Sequence, residues 1–176
     1  IESYNGAVTV GGVPAPLLIV SNAGVWFQTP AEVLSGPTAV VVKDAAGSSH
    51  EWPIEVRAAS PGIFAVTHAN GSLVTQTSPA EGGEVLVAWA TGLGRAQSDD
   101  GTGQAAPLNR LVTLKNSITA MIGGALTDVV WSGLAPGYVA MQEVLIRVPQ
   151  GLPSGTWGLR LAVFGDAGGG YGLAIR

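Results

Sequence analysis

The sequence predicts an all-β protein made of two tandem immunoglobulin-like β-sandwiches. Three observations predict it. Short apolar runs alternate with turn signals along the whole chain, and no window carries a convincing helical period. The 176 residues include 26 glycines and 11 prolines, a composition suited to many short strands joined by tight turns. The two halves also resemble each other in the order of their turns and strands.

The most strand-like run is residues 84–95, EVLVAWATGLGR. Val85, Val87 and Trp89 alternate with Leu86, Ala88 and Ala90, so both faces are apolar. Such a run reads as a strand buried within a sandwich. Gly92 and Gly94 end it with a bend that other residues resist.

Taken in order, residues 7–10 form a first strand, and Gly11-Gly12 a hairpin turn. Residues 17–20, 25–28 and 38–43 follow as strands, with residues 31–34 able to make one helical turn. A polar turn over 44–49 leads to a returning strand at 50–57, where Pro53 indicates an edge or a bulge. The boundary falls in AASPG, residues 58–62, giving domains 1–58 and 59–176. Residues 63–66 read as a short strand, and Asn70-Gly71 as a hairpin signal. Residues 97–107 make a long polar loop. Strands are expected at 127–131, 139–148, 156–164 and 171–175, with Gly123-Gly124 as another turn.

The repeat is specific enough to align. Val8-Thr9-Val10-Gly11-Gly12 parallels Ala120-Met121-Ile122-Gly123-Gly124, an offset of 112 residues. Gln28-Thr29-Pro30 parallels Arg147-Val148-Pro149, and Ser35-Gly36 parallels Ser154-Gly155, both at an offset of 119. The change of offset puts an insertion near residues 133–141. The second copy is preceded by the 84–94 strand, and the first has no equivalent. The first sandwich is therefore expected to lack its opening strand, leaving unpaired backbone and an open apolar groove.

Composition narrows the function. Apolar residues make up 47% and charged residues 11% of the chain, against about 25% charged in typical soluble domains. The formal charge is −4, and the eight lysines and arginines are scattered, so no basic stripe suits nucleic acid. There is no cysteine, which excludes a disulfide framework and thiol chemistry. No apolar run approaches the roughly 20 residues of a membrane span. A chain opening at Ile1 reads as a processed or excised piece.

From Ser60-Pro61-Gly62-Ile63-Phe64 onward the chain resembles a known family. The likeness continues through Pro79-Ala80, Ala90-Thr91-Gly92-Leu93-Gly94, Ile122-Gly123-Gly124, residues 132–137 (SGLAPG) and Val148-Pro149. It is similar to the uncharacterised C-terminal domain of large secreted acidobacterial proteins, the Solibacter C-terminal domain. The first half resembles the IPT/TIG-type immunoglobulin-like module that commonly precedes it. Six residues before Pro149 that family tends to carry glutamine, where this chain has Glu143. The resemblance implies a fold and an extracellular or cell-surface location, and no activity.

Catalytic signals are weak. The two histidines, His50 and His68, read as surface or turn residues, and no G-x-S-x-G elbow occurs. An enzyme would need one of them buried beside a serine or a carboxylate. Asp99 and Asp100, in a Gly- and Thr-containing loop, are candidate oxygen ligands for calcium, without EF-hand spacing. No cofactor is expected. The five tryptophans suit a core or a protein interface better than a sugar platform.

These readings converge on a non-enzymatic extracellular structural or assembly module. Its sharp form is a repeating subunit of a filament or surface layer, joined by a strand donated from another copy, for instance its residues 1–7. Interface residues expected on that account are Ile1, Tyr4, Val8, Val10 and Trp52. The partner is another copy or a larger parent chain. The alternative is a carbohydrate-binding or adhesion module taking polysaccharide, marked by an exposed Trp and Tyr cluster that includes Trp52 or Tyr138.

Overall fold

The computed structural model describes residues 6–98 and 101–176, and all regular structure among them is β. The chain divides into two units. One comprises Ile1–Ala58 with Asp100–Ala105, the other Ala59–Asp99 with Ala106–Arg176. Part of the long polar loop thus clusters with the first unit rather than with the second half of the chain.

The first unit holds β1 (Ala7–Val10), β2 (Val13–Ala15), β3 (Leu17–Ser21), β4 (Gly24–Phe27), β5 (Gly36–Asp44), β6 (Gly47–Ser48) and β7 (Trp52–Val56). One sheet runs β2-β1-β5-β6, with β7 also on β5; among the described residues β3 and β4 pair only with each other. Gly11 and Gly12 take φ of +57° and +79° between the paired Val10 and Val13. Two successive positive φ values are what a two-residue hairpin with the right strand twist demands, and glycine supplies them without strain. Pro53 lies in β7, an edge strand, where its missing N–H interrupts no central ladder. Residues 31–34 form no helix; Val33 N–H donates to the Pro30 carbonyl in a single turn, and Pro37 directs the chain into β5.

The second unit holds β8 (Gly62–Thr67), β9 (Val85–Thr91), β10 (Thr119–Ile122), β11 (Ala125–Thr127), β12 (Val129–Leu134), β13 (Gln142–Arg147), β14 (Gly155–Val163), β15 (Asp166–Ala167) and β16 (Tyr171–Ile175). Its sheets are β8-β9-β13-β12 and β11-β10-β14-β15, with β16 also on β14. In immunoglobulin lettering β8-β9-β13-β12 is A-B-E-D, and β11, β10, β14 and β16 are C′, C, F and G, so the topology is that of an immunoglobulin-like sandwich. Leu86, Ala88 and Ala90 of β9 are fully buried between the sheets, with Val144 and Ile146 of β13 and Leu159 and Leu161 of β14.

The internal repeat holds strand by strand. Val8 pairs with Val42 as Ala120 pairs with Leu161; Val40 pairs with Trp52 as Leu159 pairs with Tyr171. Even the β-bulge recurs, between Leu17 and Ile19 opposite β4 and between Val129 and Trp131 opposite β13. On this alignment β1 to β7 are C, C′, D, E, F, the short strand after it, and G. Among the described residues the first unit has no counterpart of β8 or of β9.

The bend after β9 depends on close backbone approach. Gly92 sits at φ +72°, and a Cβ there would come within 2.0 Å of the Ser60 carbonyl oxygen. Ser60 N–H donates to the Gly92 carbonyl at 2.7 Å, tying the SPGIF segment to the ATGLG bend. Gln142 clamps the same bend, accepting from Leu93 N–H at 2.8 Å and donating to the Gly94 carbonyl at 2.9 Å. Gly92→Ala combines positive-φ strain with a backbone clash. It is expected to destabilise the second unit by roughly 2–4 kcal/mol, several times the cost of an exposed Gly→Ala exchange. Thermal unfolding against Gly169→Ala, where the added Cβ meets nothing within 4 Å, checks this; equal melting temperatures would contradict it.

Candidate functional site

The first candidate is the outer edge of β4. Its counterpart β13 is paired on both sides, with β12 and with β9. β4 pairs with β3 alone, so among the described residues no strand covers its other edge. Unpaired N–H and C=O groups along a strand are a template for another strand.

Burial tells the same story position by position. Val144 and Ile146 are 0% exposed in the complete sandwich, whereas Val25 and Phe27, at the same places in β4, are only partly buried. Val40 and Val42 of β5, and Ile54 and Val56 of β7, are likewise only partly covered, while their counterparts Leu159, Leu161, Leu173 and Ile175 are buried. The first unit's buried core is Val8, Val10 and Ala15. Finishing the burial of six such side chains is worth on the order of several kcal/mol. On the other face of the β3-β4 ribbon, Ile19 and Trp26 are 58% and 50% exposed.

A loop closes one end of this edge. Thr102 Oγ accepts from Ala31 N–H at 3.0 Å and donates to a Glu32 carboxylate oxygen at 2.7 Å, and Gly103 N–H donates to the Gln28 side-chain carbonyl at 2.8 Å. Gly103 also lies so close to Pro16 that a Cβ would stand 2.9 Å from its ring. In the second unit the residues just before β9 occupy the corresponding end of β13: Gly83 N–H donates to the Val148 carbonyl, and Arg147 donates to the Gly83 carbonyl. Residues 101–103 therefore stand where the missing strand would begin.

The second candidate is a polar cleft of about 430 Å³ in the second unit, lined by His68, Ser78, Glu81, Glu84 and Arg176, among others. His68 Nδ1 lies 2.6 Å from a Glu84 carboxylate oxygen, and Nε2 lies 3.2 Å from the Ser78 carbonyl and 3.3 Å from Ser78 Oγ. The structure thus places His68 beside a serine and a carboxylate, which the sequence reading as a plain turn residue did not foresee. Nδ1 faces a carboxylate, and Nε2 faces the Ser78 carbonyl and hydroxyl, an arrangement in which the imidazolium form can donate from both nitrogens. The Glu84 hydrogen bond raises the His68 pKa accordingly, with smaller support from the Ser78 carbonyl and the Glu81 charge.

The chemistry of this cluster is a clamp. Glu84 also accepts from Glu81 N–H at 3.0 Å, and Glu81 is ion-paired with Arg176, which holds its carboxyl below the usual range. The group pins the turns around residues 68–72 and 78–84 to the C-terminal strand end.

The other residues singled out from sequence scatter. Ile1, Tyr4, Asp99 and Asp100 lie outside the described residues. Val8 and Val10, at 1% and 0% exposure, are closed off in the first unit's core and do not reach the open edge. Trp52 begins β7 and is 68% exposed. His50 is exposed just before it. Tyr138 is 54% exposed and meets Trp89 edge to face, ring centroids 5.6 Å apart. Gln142, adjacent to Glu143, carries the buried amide that holds the ATGLG bend.

No protein-family model matches the chain, and no curated protein does. Among solved structures it is similar to the Bacteroides ovatus mixed-linkage glucan utilization locus SGBP-B in complex with a mixed-linkage heptasaccharide. The identity is 14% and the TM-score 0.41, covering 97% of this chain and 37% of that one. It is also similar to the titin Ig tandem domains A164-A165, at 10% identity and TM-score 0.25, covering 99% and 82%.

The His68 clamp makes stability pH-dependent. A raised folded-state pKa contributes stability that is fully present below the unfolded value near 6.5 and is lost as pH rises through the folded value. His68→Gln is expected to lower the melting temperature by about 3 °C at pH 5.5, an effect of roughly 1 kcal/mol, and by much less at pH 9. A deficit of the same size at both pH values would contradict the clamp.

Proposed function

We propose that the chain is a non-enzymatic structural module of the extracellular side, whose first immunoglobulin-like unit is completed by a strand from another copy. The observation that carries this is the single pairing of β4 against the double pairing of its repeat counterpart β13. The complete unit specifies what the donor must look like. β9 runs antiparallel to β13 and turns Leu86, Ala88 and Ala90 inward. A donor on β4 would run the same way, with small apolar residues at alternate positions facing Val25 and Phe27.

A low charge content supports assembly, because little like-charge repulsion separates copies. A donor given by one copy to the next makes a head-to-tail contact, which grows as an open-ended array unless it closes into a ring. The exported location and the structural role follow the family resemblance and the apolar composition. Loop 101–103 fixes where the donor must start, since it already occupies the Gln28 end of the edge.

Electron microscopy of the purified chain over a concentration series tests the reading. Regular fibres or sheets are expected, and Trp26→Lys, which puts a charge beside the open edge, is expected to abolish them while leaving the circular dichroism unchanged. Single particles at every concentration, or assembly indifferent to Trp26→Lys, would count against it.

A further inference from the structure

A separate feature lies on the outer face of the β8-β9-β13-β12 sheet. Leu86, Ala88 and Ala90 of β9 and Gln142, Val144 and Ile146 of β13 point inward, so Trp89 and Glu143 point outward. The pairing aligns Ala65, Trp89, Glu143 and Gly133 in one row across the four strands. The ends of the row are small, and its centre is an indole beside a carboxylate.

Two more rings complete the surroundings. Trp131 folds its ring over Gly133, so closely that a Cβ there would lie 2.3 Å from the six-membered ring. Tyr138 stands against Trp89 with its ring plane turned by 65°. Glu143 therefore has the Trp89 side of the row on one flank and the Trp131 ring on the other, with Tyr138 at the exposed rim. Among the described residues no hydrogen bond or ion pair reaches its carboxylate. Burial alone pushes its pKa up, with no compensating cation nearby.

Glu143 is partly buried yet keeps solvent access at its carboxylate, so the charge is held in a half-desolvated place that a cation from outside can reach. Aromatic faces carry negative potential, so the rings add to the attraction for positive charge rather than offsetting it. A guanidinium suits this place better than an ammonium. It is planar, weakly hydrated, able to stack against an indole, and it presents a fork of N–H donors to a carboxylate.

We propose that Glu143, flanked by Trp89, Trp131 and Tyr138, is a binding site for the guanidinium of an arginine side chain on a partner protein. The site lies wholly in the second unit and is independent of strand donation at β4.

The test is a titration of the folded chain with N-acetyl-arginine amide, followed by amide chemical shifts and tryptophan fluorescence. Saturable changes centred on Trp89, Trp131 and Glu143 are expected. Glu143→Gln, which keeps the shape and removes the charge, should weaken binding at least tenfold. Tyr138→Ala, at an exposed rim position outside the core, should weaken it several-fold. N-acetyl-citrulline amide, the neutral analogue, should bind at least tenfold more weakly than the arginine probe. The absence of any response, equal binding of citrulline, indifference to Glu143→Gln, or a stronger response to a neutral glucan oligosaccharide would each overturn the assignment. The last outcome would make this face a sugar platform.

Discussion

The second unit depends on the double pairing of β9. That strand has a neighbour on each edge, β8 and β13, and turns Leu86, Ala88 and Ala90 into the space between the sheets. It satisfies the backbone of β13 and covers the inner side chains of the facing sheet in one stroke. A strand so placed leaves neither of its own edges open, and the unit's core draws on residues from Ala59 to Ile175. The glycine bend, the Gln142 clamp and the Ser60–Gly92 hydrogen bond all serve to end that strand at the right point.

The first unit shows the same architecture with that constraint removed. Its strands pair in the same register, down to a shared bulge and a shared two-glycine hairpin, so the remaining pieces fold alike. What changes is coverage. Val25, Phe27, Val40, Val42, Ile54 and Val56 stay partly open because no described residue lies where β9 lies in the other copy. The loop at 101–103 partly compensates, binding Gln28, Ala31 and Glu32 at one end of β4. It supplies polar contacts but no inward-facing apolar side chain, so the open face persists along the rest of the strand.

Much of this was legible in the sequence. Alternation marks β9 and paired glycines mark the hairpins, because those signals are local. The repeat was legible because proline and glycine at turns tolerate little replacement. What could not be read depends on register or on distant loops. His68, Ser78 and Glu84 are ten and sixteen residues apart through turns, and only the folded turns bring them together. The Ala65–Trp89–Glu143–Gly133 row requires the pairing of four strands to be known at once. Gln142 looks like an ordinary strand residue until its amide is seen bridging Leu93 and Gly94.

Among the described residues β4 has one open edge where β13 has none. Amide hydrogen exchange read by nuclear magnetic resonance on the dilute chain measures this directly, strand against equivalent strand. The amides of Gly24–Phe27 that are not bonded to β3 should exchange orders of magnitude faster than those of Glu143–Ile146, and should slow as the chain is concentrated. Equal protection of both strands in the dilute chain would contradict the claim, because it would mean that the edge of β4 is already covered.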